Sequence, residues 1–133
     1  MIVEALFDHL TADAPLTALI NGVFPHVIPE DQQPPAVTFR QGADDRDPLL
    51  DGQGAYRMAI FDIDCWSLRY DDALKIADAV EASLIDYRGT LGTTSPSIDA
   101  DHIRLERRGP DLLETGTEFY RVPLQILIGY EES

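Results

Sequence analysis

The sequence is poor in the residues that most covalent chemistry requires. One cysteine, Cys65, stands among 133 residues. No internal disulfide can form, and the apolar alternating stretch around the thiol marks it as a buried hydrophobe rather than a nucleophile. The three histidines, His9, His26 and His102, fall in a helical stretch, a proline-rich stretch and a strand, without the spacing of a zinc site. There is no Gly-rich phosphate loop and no nucleophile patterned beside a base. Long apolar runs are missing too: the opening MIVEALFDHL carries Glu4 and Asp8, so it reads as neither a signal peptide nor a membrane span. Positive charge is scarce. Ten basic residues face twenty-four acidic ones, a formal net charge of −14, which opposes the counterion displacement that nucleic-acid binding needs. Lys75 is the only lysine; the arginines suit planar, bidentate contacts at protein interfaces.

What is present reads as one domain over residues 1–133, long enough to remove roughly two-thirds of its unfolded surface from water. Ile2, Ala5, Leu6, His9 and Leu10 recur at helical spacing. Pro15 opens a second short helix capped by Asp13 or Ala14, with Leu16, Leu19 and Ile20 inward and Asn21-Gly22 as a left-handed stop. Pro25, Pro29, Pro34 and Pro35 hold the next stretch extended and irregular. A first strand follows over 36–41, then a long polar excursion from Gly42 to Gly54 as the tip of a hairpin.

The second strand, 56–66, places Ala59, Phe61, Ile63 and Cys65 on a core face and Tyr56, Met58, Ile60, Asp62 and Asp64 on the other. It runs straight into a helix opening at Asp71 or Asp72, whose stripe is Leu74, Ile76, Ala77, Val80, Leu84 and Tyr87, ended by Gly89. Residues 88–101 have a loop composition. Ile103 and Leu105 alternate with Arg104 and Glu106 in a short third strand broken by Gly109-Pro110. The last strand, 118–130, turns Tyr120, Val122, Leu124, Ile126 and Ile128 inward and Arg121 and Gln125 outward. Pro123 removes a ladder donor there, which points to an edge position or a bulge, and an edge strand is a place for another subunit to add. The expected architecture is α+β, an antiparallel sheet of about four strands with helices on one face.

Two acidic groups invite a metal reading. Asp44, Asp45, Asp47 and Asp51 lack the alternate spacing, central Gly and terminal Glu of an EF-hand, so a solvated loop is the simpler account. Asp62 and Asp64 share a strand face but lack a third ligand. Pairing with Arg121 or the cluster Arg104, Arg107 and Arg108, within the chain or across an interface, is the alternative. No catalytic residue, cofactor or metal is assigned.

The stretches TADAPLTALINGVFPHVIPEDQQPPAVTF, DPLLDG, IDCWSLRYDDALKIADAVEASL and EFYRVPLQILI together resemble the tail completion or tail terminator family of tailed phages and gene transfer agents, over almost the whole chain. The resemblance implies a structural virion protein rather than an enzyme. Its subunits would form a ring, typically of six, capping the head-proximal end of the tail tube, ending tube polymerisation and joining the tail to the head connector. The implied partners are copies of itself, the major tail tube protein and head-tail connector proteins. DNA would pass through the channel without specific binding, no membrane would be involved, and assembly would occur in the host cytoplasm. The interface residues expected on that basis are Tyr56, Met58, Ile60, Asp62, Asp64, Arg104, Arg107, Arg108 and Arg121. The Asp44 to Asp51 stretch, with Asp45 and Asp47, is the candidate for facing the lumen or the tube. The rival readings are a stopper-type head-tail connector subunit, a small metal-dependent enzyme using Asp62 and Asp64, and a dimeric module pairing through its last strand.

Overall fold

The computed structural model describes residues 1–46 and 56–132. In chain order the elements are α1 (Ile2–Thr11), α2 (Ala14–Thr17), β1 (Val23–Pro25), β2 (Ala36–Arg46), β3 (Tyr56–Ser67), α3 (Tyr70–Leu84), β4 (Gly89–Leu91), β5 (Ile98–Arg108), β6 (Leu112–Leu113) and β7 (Tyr120–Glu132). The helical stripe of α1 buries Ile2, Ala5, Leu6 and Leu10. His9 stays at the rim, its Nε2 3.0 Å from the Ser83 carbonyl oxygen and its ring edge-on to Tyr87. Asp13 caps α2 by accepting from the Leu16 amide at 3.1 Å. That helix stops at Thr17, before Asn21-Gly22, neither of which is left-handed. Asn21 instead ties the chain down, its amide donating to Pro35 O and its side chain to Gln33 O. Leu16 is fully buried, whereas Leu19 is exposed.

The fold is α+β, but the sheet has seven strands among the described residues rather than about four. The order is β1-β2-β3-β7-β5-β4, with β6 pairing β7. Only β1 and β2 pair in parallel; the other ladders are antiparallel. The three unexpected strands, β1, β4 and β6, have three, three and two residues, too few to show a period of two. Within the supposed polar excursion, β2 continues to Arg46, crossing a bulge between Gln41 and Ala43. Asp44 and Asp45 are therefore strand residues, opposite Ala59 and Met58; Asp47 and Asp51 lie outside the described residues. Likewise β5 begins at Ile98, inside the stretch read as loop.

The long strands owe their place to alternation. Ala59, Phe61, Ile63 and Cys65 of β3 and Val122, Leu124, Ile126, Ile128 and Tyr130 of β7 are buried on one face. Helix α3 covers them with Ala73, Ile76, Ala77, Val80 and Leu84, and α1 and α2 join the same core. Asp71 and Asp72 sit in the first turn of α3, where the helix dipole favours them. The helix ends at Leu84; Asp86 takes the left-handed conformation (φ 66°), while Gly89 opens β4.

The last strand is not an edge. β7 runs between β3 and β5, and Pro123 is accommodated by the end of its neighbour. The Gly109 amide donates to Pro123 O at 2.9 Å. In a strand a residue's N and O point to the same side, so the missing donor faces the segment where β5 has already turned away. The ladder to β3, with Pro123 opposite Asp64, is unbroken. No helix among the described residues is long and apolar enough to cross a membrane.

Candidate functional site

The sheet face opposite the helices carries no helix among the described residues, and its side chains line up in rows set by strand register. Thr38 and Arg40 come from β2, Met58, Ile60, Asp62, Asp64 and Trp66 from β3, and Arg121, Gln125 and Leu127 from β7. One row runs Arg40, Asp62, Gln125, Arg107; a second runs Ile60, Leu127, Arg104; a third runs Trp66, Arg121, Leu112. The upper part is apolar, with Met58 and Ile60 half-buried and Leu127 nearly covered. Tyr56 opens β3 at this end, opposite Glu131.

The lower part is polar and closely paired. Arg40 Nε lies 3.5 Å from Asp62 Oδ2, and Gln125 Nε2 donates to Asp62 Oδ1 at 3.3 Å. Arg121 Nη1 is 3.6 Å from Asp64 Oδ2, and its Nε is 3.0 Å from Glu114 Oε1, close enough for an ion pair but without hydrogen-bond geometry. The Arg121 guanidinium carbon stands 5.5 Å from the centre of the Trp66 ring, whose Nε1 donates to Thr38 Oγ1 at 2.9 Å. The expected pairing of Asp64 with Arg121 is thus present. The expected pairing with the Arg104 cluster is not: Arg104 bonds Glu106 at 3.2 Å, and Arg108 has left the face altogether.

A bulge between Leu105 and Arg107 is the reason. Strict alternation would put Arg104, Glu106 and Arg108 together, but the extra residue restarts the count. Arg107 then faces out beside Gln125, and Arg108 turns to the helix side. There its Nη1 donates to Asp78 at 2.8 Å and to Glu81, and Nη2 reaches Leu74 O at 3.5 Å, fastening α3 to the sheet. Gln125, read from the sequence as outward, joins the polar rows, and Arg40 and Glu114, which escaped the sequence reading, complete them. Arg40 alternates in phase with Thr38 and was legible in principle; Glu114 arrives through the β6 turn and left no periodic signal.

Burial raises the Asp64 carboxyl above its usual range, the largest influence; Arg121 and then Arg40 oppose it, and Asp62 adds to it. With the side chain 14% exposed, the folded protein holds this proton more tightly than the unfolded chain does. Stability should therefore fall as pH rises from the unfolded value of 3.8 through the raised folded value. Asp64→Asn is expected to leave the urea midpoint at pH 7 unchanged or higher, with the difference from wild type vanishing toward pH 3. A clear loss of stability at pH 7 would mean that the Arg121 pair outweighs desolvation.

Chemically, this face suits protein contact. Arg40, Arg104, Arg107 and Arg121 balance Asp62, Asp64, Glu106 and Glu114, so it is near neutral on a chain of net charge −14. An apolar patch adjoins it, where Leu112 and Leu113 of β6 meet Tyr70 and Tyr120, the two tyrosine rings 5.5 Å apart. Leu112, Leu113 and Tyr70 are well exposed. Among the described residues no group of three or more His, Cys, Asp or Glu side chains could hold a metal ion.

The same fold occurs in a solved virion of a native gene transfer agent particle. One of its chains matches this one with a TM-score of 0.72 and 22% identity, over 95% of this chain and 91% of that one. No curated protein sequence matches. A family model does, across nearly the whole length: over residues 4–130 the sequence fits that of tail completion protein gp17, and the chain belongs to that family.

Proposed function

We propose that the protein is a structural subunit of a virion tail. Copies of it form a ring, of six, on the head-proximal end of the tail tube, stop tube polymerisation and present a surface to the head connector. The observation that carries this reading is the family match over residues 4–130. The fold shared with a chain of a gene transfer agent particle supports it. So does a charge-balanced, uncovered sheet face with an apolar patch beside it, the composition of a protein contact with a polar rim. Its partners on this reading are its own copies, the major tail tube protein and the head connector. The excess of acid over base suits a channel through which DNA moves without sticking.

Deletion of the gene from its source genome, with a complemented strain beside it, tests the proposal by negative-stain microscopy of the particles. DNA-filled heads with unjoined tails of uncontrolled length are the expected result. Tails of regular length beside heads that leak DNA would assign the protein to a connector ring instead, and normal joined particles would overturn a tail role.

A further inference from the structure

Between β1 and β2 the chain makes a loop, residues 26–35, whose backbone is tied at several points. The His26 amide donates to Phe39 O, the Val27 amide to Pro25 O and the Gln32 amide to Pro29 O, while the Asn21 side chain donates to Gln33 O. The turn closed on the Pro29 carbonyl puts Glu30 and Asp31 at its tip, both exposed and neither in an ion pair among the described residues. Val27 stands two residues before that turn and, at 69%, is the most exposed of the large apolar side chains described. Apart from His26 the loop has no basic residue. A loop already fixed in shape loses little further freedom on docking.

The far edge of the sheet carries a surface of matching chemistry, where Leu112 of β6 is shared by two clefts. One cleft is apolar, lined by Leu113, Tyr70 and Tyr120; the other is polar, with Arg107 and Arg121 against Asp62. The acids around both clefts are already engaged. Asp62 is held by Arg40 and Gln125, Asp64 and Glu114 by Arg121, Glu106 by Arg104, and Asp111 by the Tyr70 hydroxyl. Arg107 is different: it makes no hydrogen bond or ion pair among the described residues. The charge left there without a counterpart is therefore positive, and the charges left without one on the loop are negative.

We infer that the 26–35 loop of one copy docks in these two clefts of the next copy, Val27 and Pro29 against the tyrosines and leucines and the Glu30-Asp31 tip at Arg107. This rests on the ring reading and names the contact that builds the ring. Proline-bearing segments seat well on aromatic-lined clefts, and the unpaired charges supply the polar half of the match. Placement favours a second copy as the occupant. β1 is the first strand of the sheet, and β6 takes the place beside β7 that β5 gives up, so the two surfaces lie on opposite edges. Carried through the ladders, Leu112 is level with Ala36, the neighbour of Val37, which pairs Val23. Passing from one surface to the other moves sideways across the sheet with little shift along it. Because two different surfaces meet, the contact is heterologous, and with so little rise it closes into a ring rather than running on as a filament.

The test uses particles from a strain whose only copy of the gene carries both Val27→Cys and Leu113→Cys, two exposed positions. The native Cys65 is fully buried and stays out of reach. A short bis-maleimide should link neighbours into a ladder of covalent multimers ending at one largest species, while each single-cysteine variant stays monomeric. Joined particles that contain the protein but give no multimers, or dimers alone, would overturn the loop contact and leave the ring reading standing. So would a Val27→Cys variant that links to a different particle protein. Absence of the wild-type protein from particles by immunoblot would remove the ring reading itself. As a second measure, Glu30→Arg with Asp31→Arg should cut incorporation roughly tenfold at an unchanged thermal midpoint, and adding Arg107→Glu should restore most of it. Full incorporation of the loop variant, or loss without rescue, counts against the docking.

Discussion

Gly92→Ala is expected to destabilise the protein by about 3 kcal/mol, lowering the thermal midpoint by roughly 10 °C for a chain of this size. Two costs combine. Gly92 has φ +68°, a left-handed conformation that an L side chain adopts at about 1 kcal/mol or more. In addition, a Cβ there would stand 2.8 Å from Ala5 O, 2.9 Å from Ala5 Cα and 2.9 Å from Asp8 Cβ. These are atoms of α1, mostly backbone, and they cannot swing aside as a side-chain tip can. Retreat would also break the docking of the following residue, since the Thr93 amide and hydroxyl both donate to Asp8 Oδ2, at 3.3 and 3.1 Å.

Gly116 separates the two costs. It has φ +93° with nothing within 4 Å of its would-be Cβ, so Gly116→Ala should lose only the conformational part, about 1 kcal/mol. Calorimetry of the two variants side by side decides the matter. Equal losses would mean that the loop carrying Gly92 can lift off α1 at little cost.

The same loop illustrates what the sequence could and could not convey. Alternation in β3 and β7 was readable because each strand is long and buries one face, and the stripes of α1 and α3 were readable for the equivalent helical reason. The short strands β1 and β4 were not, because their existence depends on hydrogen bonds offered by β2 and β5 rather than on any pattern of their own. Pro123 was misjudged for a related reason. A missing donor disqualifies a central position only on a side where a ladder continues, and where β5 stops is a property of the Gly109 turn, not of β7.

For the functional face, Asp62, Asp64 and Arg121 were legible as residues sharing one side of their strands. The bulge that moves Arg107 into that face and takes Arg108 out of it was not, since it is decided by how two strands fit. Of the acidic quartet read as a lumen-facing loop, Asp44 and Asp45 are strand residues of β2, opposite Ala59 and Met58, because the alternation of β2 carries on past its bulge into the stretch whose composition reads as loop.

Phe61→Ala is expected to cost about 3–5 kcal/mol, the loss depending on how far the cavity collapses. Phe61 is fully buried and sits in a chain of rings that crosses three elements. The Phe7 and Phe39 centroids are 6.3 Å apart and the Phe39 and Phe61 centroids 6.5 Å, at tilts of 37° and 47°. Truncation therefore removes apolar burial and also the β3 end of the path by which α1 is fixed to β2 and β3. Against a total stability of order 10 kcal/mol for a domain of this kind, that is a large fraction.

Position in the chain of rings sets the order of effects. Phe39, at 3% exposure, should cost nearly as much as Phe61, whereas Phe7, at 37%, should cost well under half. A double-mutant cycle on Phe39 and Phe61 by urea unfolding isolates the ring contact from the burial, and a coupling of about 1 kcal/mol is expected. A coupling near zero would mean that the two rings are held independently by the surrounding aliphatic core. In that case α1 would owe its seat to Leu6 and Leu10 rather than to the aromatic path.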